Sequence, residues 1–233
     1  MATVARWLFV LCLPVVLITA SILAAANSRI LYNYGFDKYA VSETTGLAEE
    51  ELDKVAQGLI QYFGSNQESI SLVVEREGEP FELFNAREVL HLEDVKELFH
   101  LDYMVLLGAL GYALSYIGVS FILGRLGFGR RLSRAVIAGG VLTLFLMLAA
   151  GLATFFNFDG FFYQFHVFSF ANDFWLLDPA TDFLVMLFPQ GFWYDATVAV
   201  ALATAAAALV LSGIAWLYLR KSRGNDEESD DQG

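Results

Sequence analysis

The sequence has little cysteine, little proline and little base: one Cys, four Pro, and 14 Lys and Arg against 26 Asp and Glu in 233 residues. The lone Cys12 makes no internal disulfide and no cysteine-based metal site; inside an apolar run it reads as a small hydrophobe. The net charge of −12 and pI of 4.6 exclude DNA or RNA as a partner, because phosphates must be met by Lys and Arg. Charge of either sign is also sparse, at 17% of residues against 57% hydrophobic, with mean hydropathy +0.53. Neither an ordinary soluble domain nor a disordered chain has that composition. The apolar excess is concentrated in four uncharged runs, residues 7–26, 103–123, 135–156 and 196–218. Each is long enough to cross a hydrocarbon core of about 30 Å as a helix. The sequence therefore reads as an α-helical polytopic membrane protein with four transmembrane helices.

The distribution of charge orients it. Arg125, Arg130, Arg131 and Arg134 share the 124–134 loop with no acid, Arg6 precedes the first run, and Arg220, Lys221 and Arg223 follow the last. Positive charge stays cytoplasmic, so both termini and that loop are expected inside. The segments 27–102 and 157–195 hold 21 of the 26 acids and 6 of the 14 bases, which makes the outer side −15 and the inner side +3. The expected organisation is a cytoplasmic N-terminus and first span (1–26), a small extracytoplasmic α+β domain (27–102), the second span (103–123), a cytoplasmic Arg-rich loop (124–134), the third span (135–156), an extracytoplasmic interfacial loop (157–195), the fourth span (196–218) and a cytoplasmic acidic tail (219–233), read as unstructured and solubilising. Ala24-Ala25-Ala26 resembles a signal-peptidase site. The 20-residue run with only Arg6 before it favours a retained helix.

Within the first outer segment, Leu47, Leu52, Val55, Leu59, Ile60 and Phe63 have the spacing of an amphipathic helix over 46–63, closed by Gly64-Ser65-Asn66. Alternation over 69–75, a turn at Gly78-Glu79-Pro80 and the run 81–84 predict a β-hairpin. Asn85 followed by Glu88 is a capping box for a helix over 86–101 that runs into the second span. The expected domain is thus helix, hairpin, helix. The second outer segment is aromatic-rich, with 16 aromatics over residues 155–194. Such density belongs at the headgroup boundary, in short interfacial helices. Asp178-Pro179 reads as an N-cap with Pro at the first helical position, starting a helix over 180–188 that Pro189 and Gly191 stop.

All three histidines, His91, His100 and His166, fall in the outer segments. His91 precedes the second span and His166 follows the third, so both are placed near the outer water–lipid boundary. Two imidazoles at one depth suit acyl transfer on a lipid: one removes a proton from the attacking group, the other protonates the leaving oxygen or polarises the carbonyl. The bland alternative is a pair of surface histidines at an interface. Asp94, at i+3 from His91, is expected to hold one ring nitrogen and fix its tautomer. His100, on the far side of the helix, is read as solvated. Asp173, beside Asn172 in an apolar stretch, is costly unless paired, and a histidine or a substrate ammonium are the candidate partners. No nucleophile elbow, phosphate loop or metal-binding motif is present.

The stretches Arg87-Glu88-Val89-Leu90-His91-Leu92-Glu93-Asp94-Val95-Lys96 and Phe165-His166, Asn172 through Asp182 and Phe188-Pro189 resemble the lipoprotein intramolecular transacylase (Lit) family of bacterial integral membrane proteins. The resemblance runs over nearly the whole chain. It implies an acyltransferase of the bacterial cell membrane, active on its extracytoplasmic face. The sn-2 acyl chain of a diacylglyceryl-cysteine lipoprotein passes to the α-amino group, giving the lyso-form. On that resemblance His91 and His166 are the catalytic pair, with Asp94, Asn172 and Asp173 supporting or orienting. The partners are the lipoprotein N-terminus and membrane lipid, with no cofactor and no metal. Two other readings stay open from the residues: a non-enzymatic membrane assembly or sensor protein whose outer domain binds a partner, and a metal-dependent lipid hydrolase using the same histidines. A transporter is not supported, since no span carries an acid or base.

Overall fold

The computed structural model describes residues 2–123 and 127–230. Arg125 of the expected Arg-rich loop and Asp231 of the expected tail lie outside the described residues. In chain order the elements are α1 (Ala2–Ala26), α2 (Arg29–Lys38), α3 (Val41–Thr45), α4 (Glu49–Phe63), β1 (Val73–Arg76), β2 (Glu79–Glu82), α5 (Ala86–Ile122), α6 (Phe128–Ser169), α7 (Phe183–Leu187) and α8 (Gln190–Asp230). Four of them, α1, α5, α6 and α8, are long and apolar enough to cross a membrane. With its 37 residues, α5 is about 55 Å long at a rise of about 1.5 Å per residue, well beyond a hydrocarbon core of about 30 Å.

The chain divides into two compact units. The first takes α1 up to Ile22, α5 from Tyr103, α6 up to Leu152 and α8 from Val200. Its helices approach closely where residues are small. A Cβ added to Gly139 would sit 2.9 Å from Leu13 Cβ, and one on Gly140 would sit 2.0 Å from Ser212 Oγ. Small residues at such crossings are what membrane helices use to pack without a hydrophobic drive between them. Phe9, Val10 and Ala135 form a small core, with Phe9 stacked on Tyr116 at 5.0 Å.

The second unit is Leu23–Asp102 with Ala153–Ala199. Its core joins Val55, Leu59 and Tyr62 of α4 to Tyr32 and Phe36 of α2, Leu83 and Phe84 after the hairpin, and Leu184, Leu187, Phe188 and Phe192 from the later segment. Several local expectations are corrected here. The helix expected from residue 46 starts at Glu49, because Gly46 takes φ 72 and closes α3 instead. The expected helix–hairpin–helix domain has two further helices, α2 and α3. Ser28 caps α2, its Oγ accepting from Leu31 N at 3.3 Å. The hairpin turn is Glu77-Gly78, both with positive φ, the two-residue turn that matches strand twist. Glu79 and Pro80 therefore lie in β2, opposite Arg76 and Glu75.

The third apolar helix does not end at residue 156. Asn157 breaks the helical path with φ −157 and ψ 76, and its Oδ1 accepts from Gly160 N at 3.0 Å. That bond recaps the chain, and helix resumes to Ser169. At the other end α6 begins at Phe128, so Arg130, Arg131 and Arg134 are helical rather than looped. The helix expected from Asp178-Pro179 starts later, at Phe183. Asp182 Oδ2 accepts from Asp178 N at 2.7 Å and Asp178 Oδ1 from Ala180 N at 2.9 Å, which closes a turn where the first helical turn was expected. As expected, that helix stops before Pro189: α7 ends at Leu187. Gly191 is not part of the stop, because α8 starts directly at Gln190 and runs to Asp230, into the stretch read as an unstructured tail. An established helix extends cheaply, one bond per residue fixed.

Gly35 meets the edge of Phe192: an added Cβ would lie 2.4 Å from Phe192 Cδ2. Gly35→Ala should therefore overpack this core and cost about 1–3 kcal/mol. Thermal unfolding in detergent micelles reads this as a lowered midpoint; an unchanged midpoint would mean the Phe192 ring has room to move.

Candidate active site

The site lies within the second unit and is assembled from α5, the last turns of α6 and the irregular segment that follows. The N-terminus of α5 comes first. Asn85 Oδ1 accepts from Arg87 N and Glu88 N, and Glu88 Oε2 accepts from Asn85 N at 2.8 Å. This is the capping box expected from the sequence. The other carboxylate oxygen, Oε1, accepts from Leu184 N at 2.6 Å. The N-cap of α7, Asp182, makes no side-chain cap bond of its own, so Glu88 caps α7 from α5. Asn85 Nδ2 returns a bond to Asp182 Oδ1 at 2.9 Å. Glu88 is only 1% exposed. Burial pushes its carboxyl above the ordinary carboxylate range, against the two backbone N–H groups and with Asp182 adding to the rise.

One turn beyond Glu88 stands His91, and the structure brings it to His166. Both are buried, and their ring centroids are 6.1 Å apart with the planes tilted by 32°. No hydrogen bond joins them. His166 Nδ1 lies 2.8 Å from the Phe162 carbonyl. A carbonyl only accepts, so Nδ1 carries the proton, and Nε2 of the neutral ring is left as a lone-pair acceptor. His91 Nδ1 is buried with no partner.

The surroundings are aromatic. Phe162, Trp175, Phe165 and Phe170 lie 4.4, 5.0, 5.3 and 5.6 Å from the His166 ring, and Phe170 meets His91 edge-on at 5.1 Å. Desolvation holds both imidazoles below their ordinary value. His91 is lowered to about 4, its burial reinforced by the neighbouring His166 and only partly offset by Asp94. His166 is lowered by burial against the opposing Phe162 bond.

Asp94 does not hold the His91 ring as expected. Its Oδ2 accepts from Asn172 Nδ2 at 2.9 Å. The reason is that the segment after α6 folds back onto α5 and presents Asn172 there. Asn172 Oδ1 accepts from Phe174 N at 3.0 Å, and its carbonyl accepts from Trp175 Nε1 at 2.9 Å. Asp173 is exposed; its carbonyl, not its carboxylate, takes the Arg87 guanidinium at 2.6 Å. His100 is exposed and stands apart. Among the described residues no three His, Cys, Asp or Glu side chains gather as a metal-binding group.

Sequence reasoning singled out His91, His166, Asn172 and the Asn85–Glu88 box. It missed the second bond of Glu88, the bond of Arg87 and the rings of Phe170 and Trp175. A Glu three residues before His91, with no Lys or Arg three or four positions from it, was the available signal for the bond of Glu88.

The profile of the family "Lipoprotein intramolecular transacylase Lit" matches residues 7–193. The chain belongs to this family. Lit is a family of acyltransferases. The fold is shared with the membrane integral Lit of Bacillus cereus, at TM-score 0.80 and 18% identity over 96% of this chain and 97% of that one. A variant of the same Bacillus cereus protein, with a histidine replaced by arginine, matches at TM-score 0.77 and 18% identity over 97% and 95%. An uncharacterized protein of Aquifex aeolicus (strain VF5) is 32% identical over 119 residues, 51% of this chain and 50% of its own length. The match thus spans about half of that curated relative. With this membership and four membrane-crossing helices, the chain is a multi-pass membrane protein of an acyltransferase family.

Proposed function

We propose that this protein moves the sn-2 acyl chain of a diacylglyceryl-cysteine lipoprotein onto the α-amino group of the same cysteine, giving the lyso-form, with His91 and His166 as the working pair. The observation that carries the reading is the buried pair itself: two imidazoles 6.1 Å apart, unbonded to each other, one with its tautomer fixed by Phe162, in a chain of the Lit family. In this account Asp94, Asn172 and Asp173 position the segment that carries the pair.

The chemistry balances without a cofactor. His166 Nε2 takes a proton from the amine, whose nitrogen attacks the ester carbonyl carbon. The oxyanion that forms is met by an N–H of neutral His91. The C–O bond to the glyceryl sn-2 oxygen then breaks, and His166 returns the proton to that oxygen. Because nucleophile and ester ride on one molecule, orientation supplies much of the acceleration. The acidic outer side, −15 by sequence, suits an ammonium substrate. Charge distribution also supports an active site on the extracytoplasmic face of the bacterial cytoplasmic membrane. After the Asn157 kink, Phe161, Phe165 and Phe168 are exposed, the last at 86%. Rings so exposed suit a helix lying in the interface, within reach of acyl chains.

Expression in a bacterium that makes only diacyl lipoproteins tests this reading. Mass spectrometry of a reporter lipopeptide should find the acyl chain on the amine and a free glyceryl hydroxyl. Unchanged diacyl peptide from well-inserted protein would refute it.

The pH dependence follows from the same groups. The substrate α-ammonium titrates at about 7.7–8, while both histidines are already neutral well below that. kcat/KM should therefore rise with pH up to about 8 and then level. The rise is set by the substrate amine. A second acid limb should appear only where His166 takes up a proton, below its ordinary value near 6.5. Stability has a separate, more acid window. His91 has a folded value of about 4 against about 6.5 unfolded. Its contribution is present above 6.5 and lost as pH falls from 6.5 toward 4. The wild-type thermal midpoint minus that of His91→Gln, measured from pH 7.5 to 4.5, checks the sign, because the raised carboxyl of Glu88 acts in the opposite direction; a difference that rises on acidification would contradict it.

A further inference from the structure

We infer that Phe170 and Trp175 are positioning residues of the histidine pair, Phe170 as a spacer that keeps the two imidazoles apart and Trp175 as a wall, held by Asn172, that fixes the His166 ring. This deepens the proposed function and rests on it for its catalytic consequence. The geometric part stands on its own.

Phe170 is the ring that touches both histidines, at 5.1 Å from His91 and 5.6 Å from His166. It is buried, and its N–H donates to the His166 carbonyl at 2.9 Å, so backbone and ring are fixed together. With Phe170 in place the imidazoles sit near one another without a hydrogen bond. If it were removed, the rings could close on each other and spend the His166 lone pair on a neighbouring N–H. The reacting atoms would then lose their place.

Trp175 lies 5.0 Å from His166 at 36° from parallel. Its indole N–H is already spent on the Asn172 carbonyl, so it has no donor left for a substrate. The Asn172 amide is spent in turn on Asp94 of α5, the helix that carries His91. One residue therefore ties the wall behind His166 to the helix of His91. Tyr163 backs the outer side of Trp175, its ring 5.5 Å away and edge-on. Among the described residues, the ring contacts of His166 are with His91, from α5, and with phenyl and indole rings from α6 and the segment after it. Asp94 faces the pair from α5 and acts on His91.

The test uses full-length protein labelled with [15N]histidine in lipid nanodiscs, with imidazole titrations followed by NMR. Trp175→Leu should let water reach His166 and move its titration toward 6.5; Asn172→Ala keeps the carbonyl that holds the indole but cuts the tie to Asp94, and should move the titration in the same direction by less. Phe170→Ala should change the 15N shifts of both imidazoles as they hydrogen-bond. A Phe99→Leu control, away from the site, should change neither. Where transacylation is measurable, Trp175→Leu and Phe170→Ala should lower kcat about tenfold to hundredfold, the scale of an ångström-sized misplacement, with KM changed less than about threefold and Trp175→Phe restoring most of it. Imidazole titrations and shifts that stay put in Trp175→Leu and Phe170→Ala would overturn the inference. Altered spectra in a protein without transacylase activity would leave the clamp standing and remove the proposed function instead.

Discussion

His91→Ala and His166→Ala should each abolish lyso-form production, lowering the rate by about 10²–10⁴, the range for removal of a positioned acid–base group. Both side chains are buried, so each substitution also opens a small cavity, and loss of activity must be separated from loss of fold. His91→Gln and His166→Gln serve that purpose. Each fills most of the space and keeps a polar tip. His166→Gln cannot take up and return a proton and should be as inactive as His166→Ala, whereas His91→Gln still offers an N–H and should fall between His91→Ala and wild type; both should unfold close to wild type. His100→Ala provides the internal comparison. His100 is exposed, and its loss should leave the rate within about twofold, as a surface substitution away from the site should. Activity retained in His166→Gln would remove the base from the scheme; activity retained in His91→Ala would reduce the pair to one working group.

Glu88→Ala should be among the most damaging substitutions for stability in the second unit. The carboxylate accepts from two backbone N–H groups, Asn85 N at 2.8 Å and Leu184 N at 2.6 Å. Deleting it strands the buried Leu184 N–H, at about 1–3 kcal/mol, and removes the capping-box bond to Asn85 N, whose residue is exposed, at about 1 kcal/mol. A loss of about 2–4 kcal/mol is expected, read as a lowered unfolding midpoint in micelles. Glu88→Gln keeps an oxygen for one donor but turns an NH2 toward the other, so it should fall between. Glu88 lies one turn before His91, so the same substitution loosens the start of α5 and should lower activity as well. A Glu88→Ala protein as stable as wild type would show that the trans cap on α7 is made in some other way.

These two predictions mark what local sequence patterns reveal and what they hide. Asn85 and Glu88 are three residues apart, and their reciprocal bonds follow from helix-terminus chemistry alone. The bond from Leu184 to the same Glu88 spans 96 positions, and nothing local announces it. Asp94 shows the same division. Its place on the His91 face was legible from helical spacing, but its partner is Asn172, 78 positions away, rather than the imidazole one turn back. The four apolar runs were legible because uncharged length is a strong signal, whereas helix ends were not. Asn157 looked like an exit from the third span, yet its side chain recaps the chain and the helix resumes as far as Ser169. The α2 helix went unread because its buried positions, Tyr32, Gly35 and Phe36, include a glycine whose value lies in admitting Phe192, a tertiary fact. Phe170 and Trp175 were counted among the aromatics and not distinguished, since composition cannot say which ring faces an imidazole.

A crossover experiment tests the central claim most directly. Purified protein in nanodiscs receives two synthetic lipopeptides together, one with a 13C-labelled sn-2 chain and a light peptide, the other with an unlabelled chain and a heavy peptide. Tandem mass spectrometry then identifies which chain is amide-linked to which peptide. Intramolecular transfer through the His91–His166 pair predicts 13C acyl amide on the light peptide only, unlabelled amide on the heavy peptide only, and no product with His166→Gln. Scrambled labels, or free labelled fatty acid with no amide, would contradict the account.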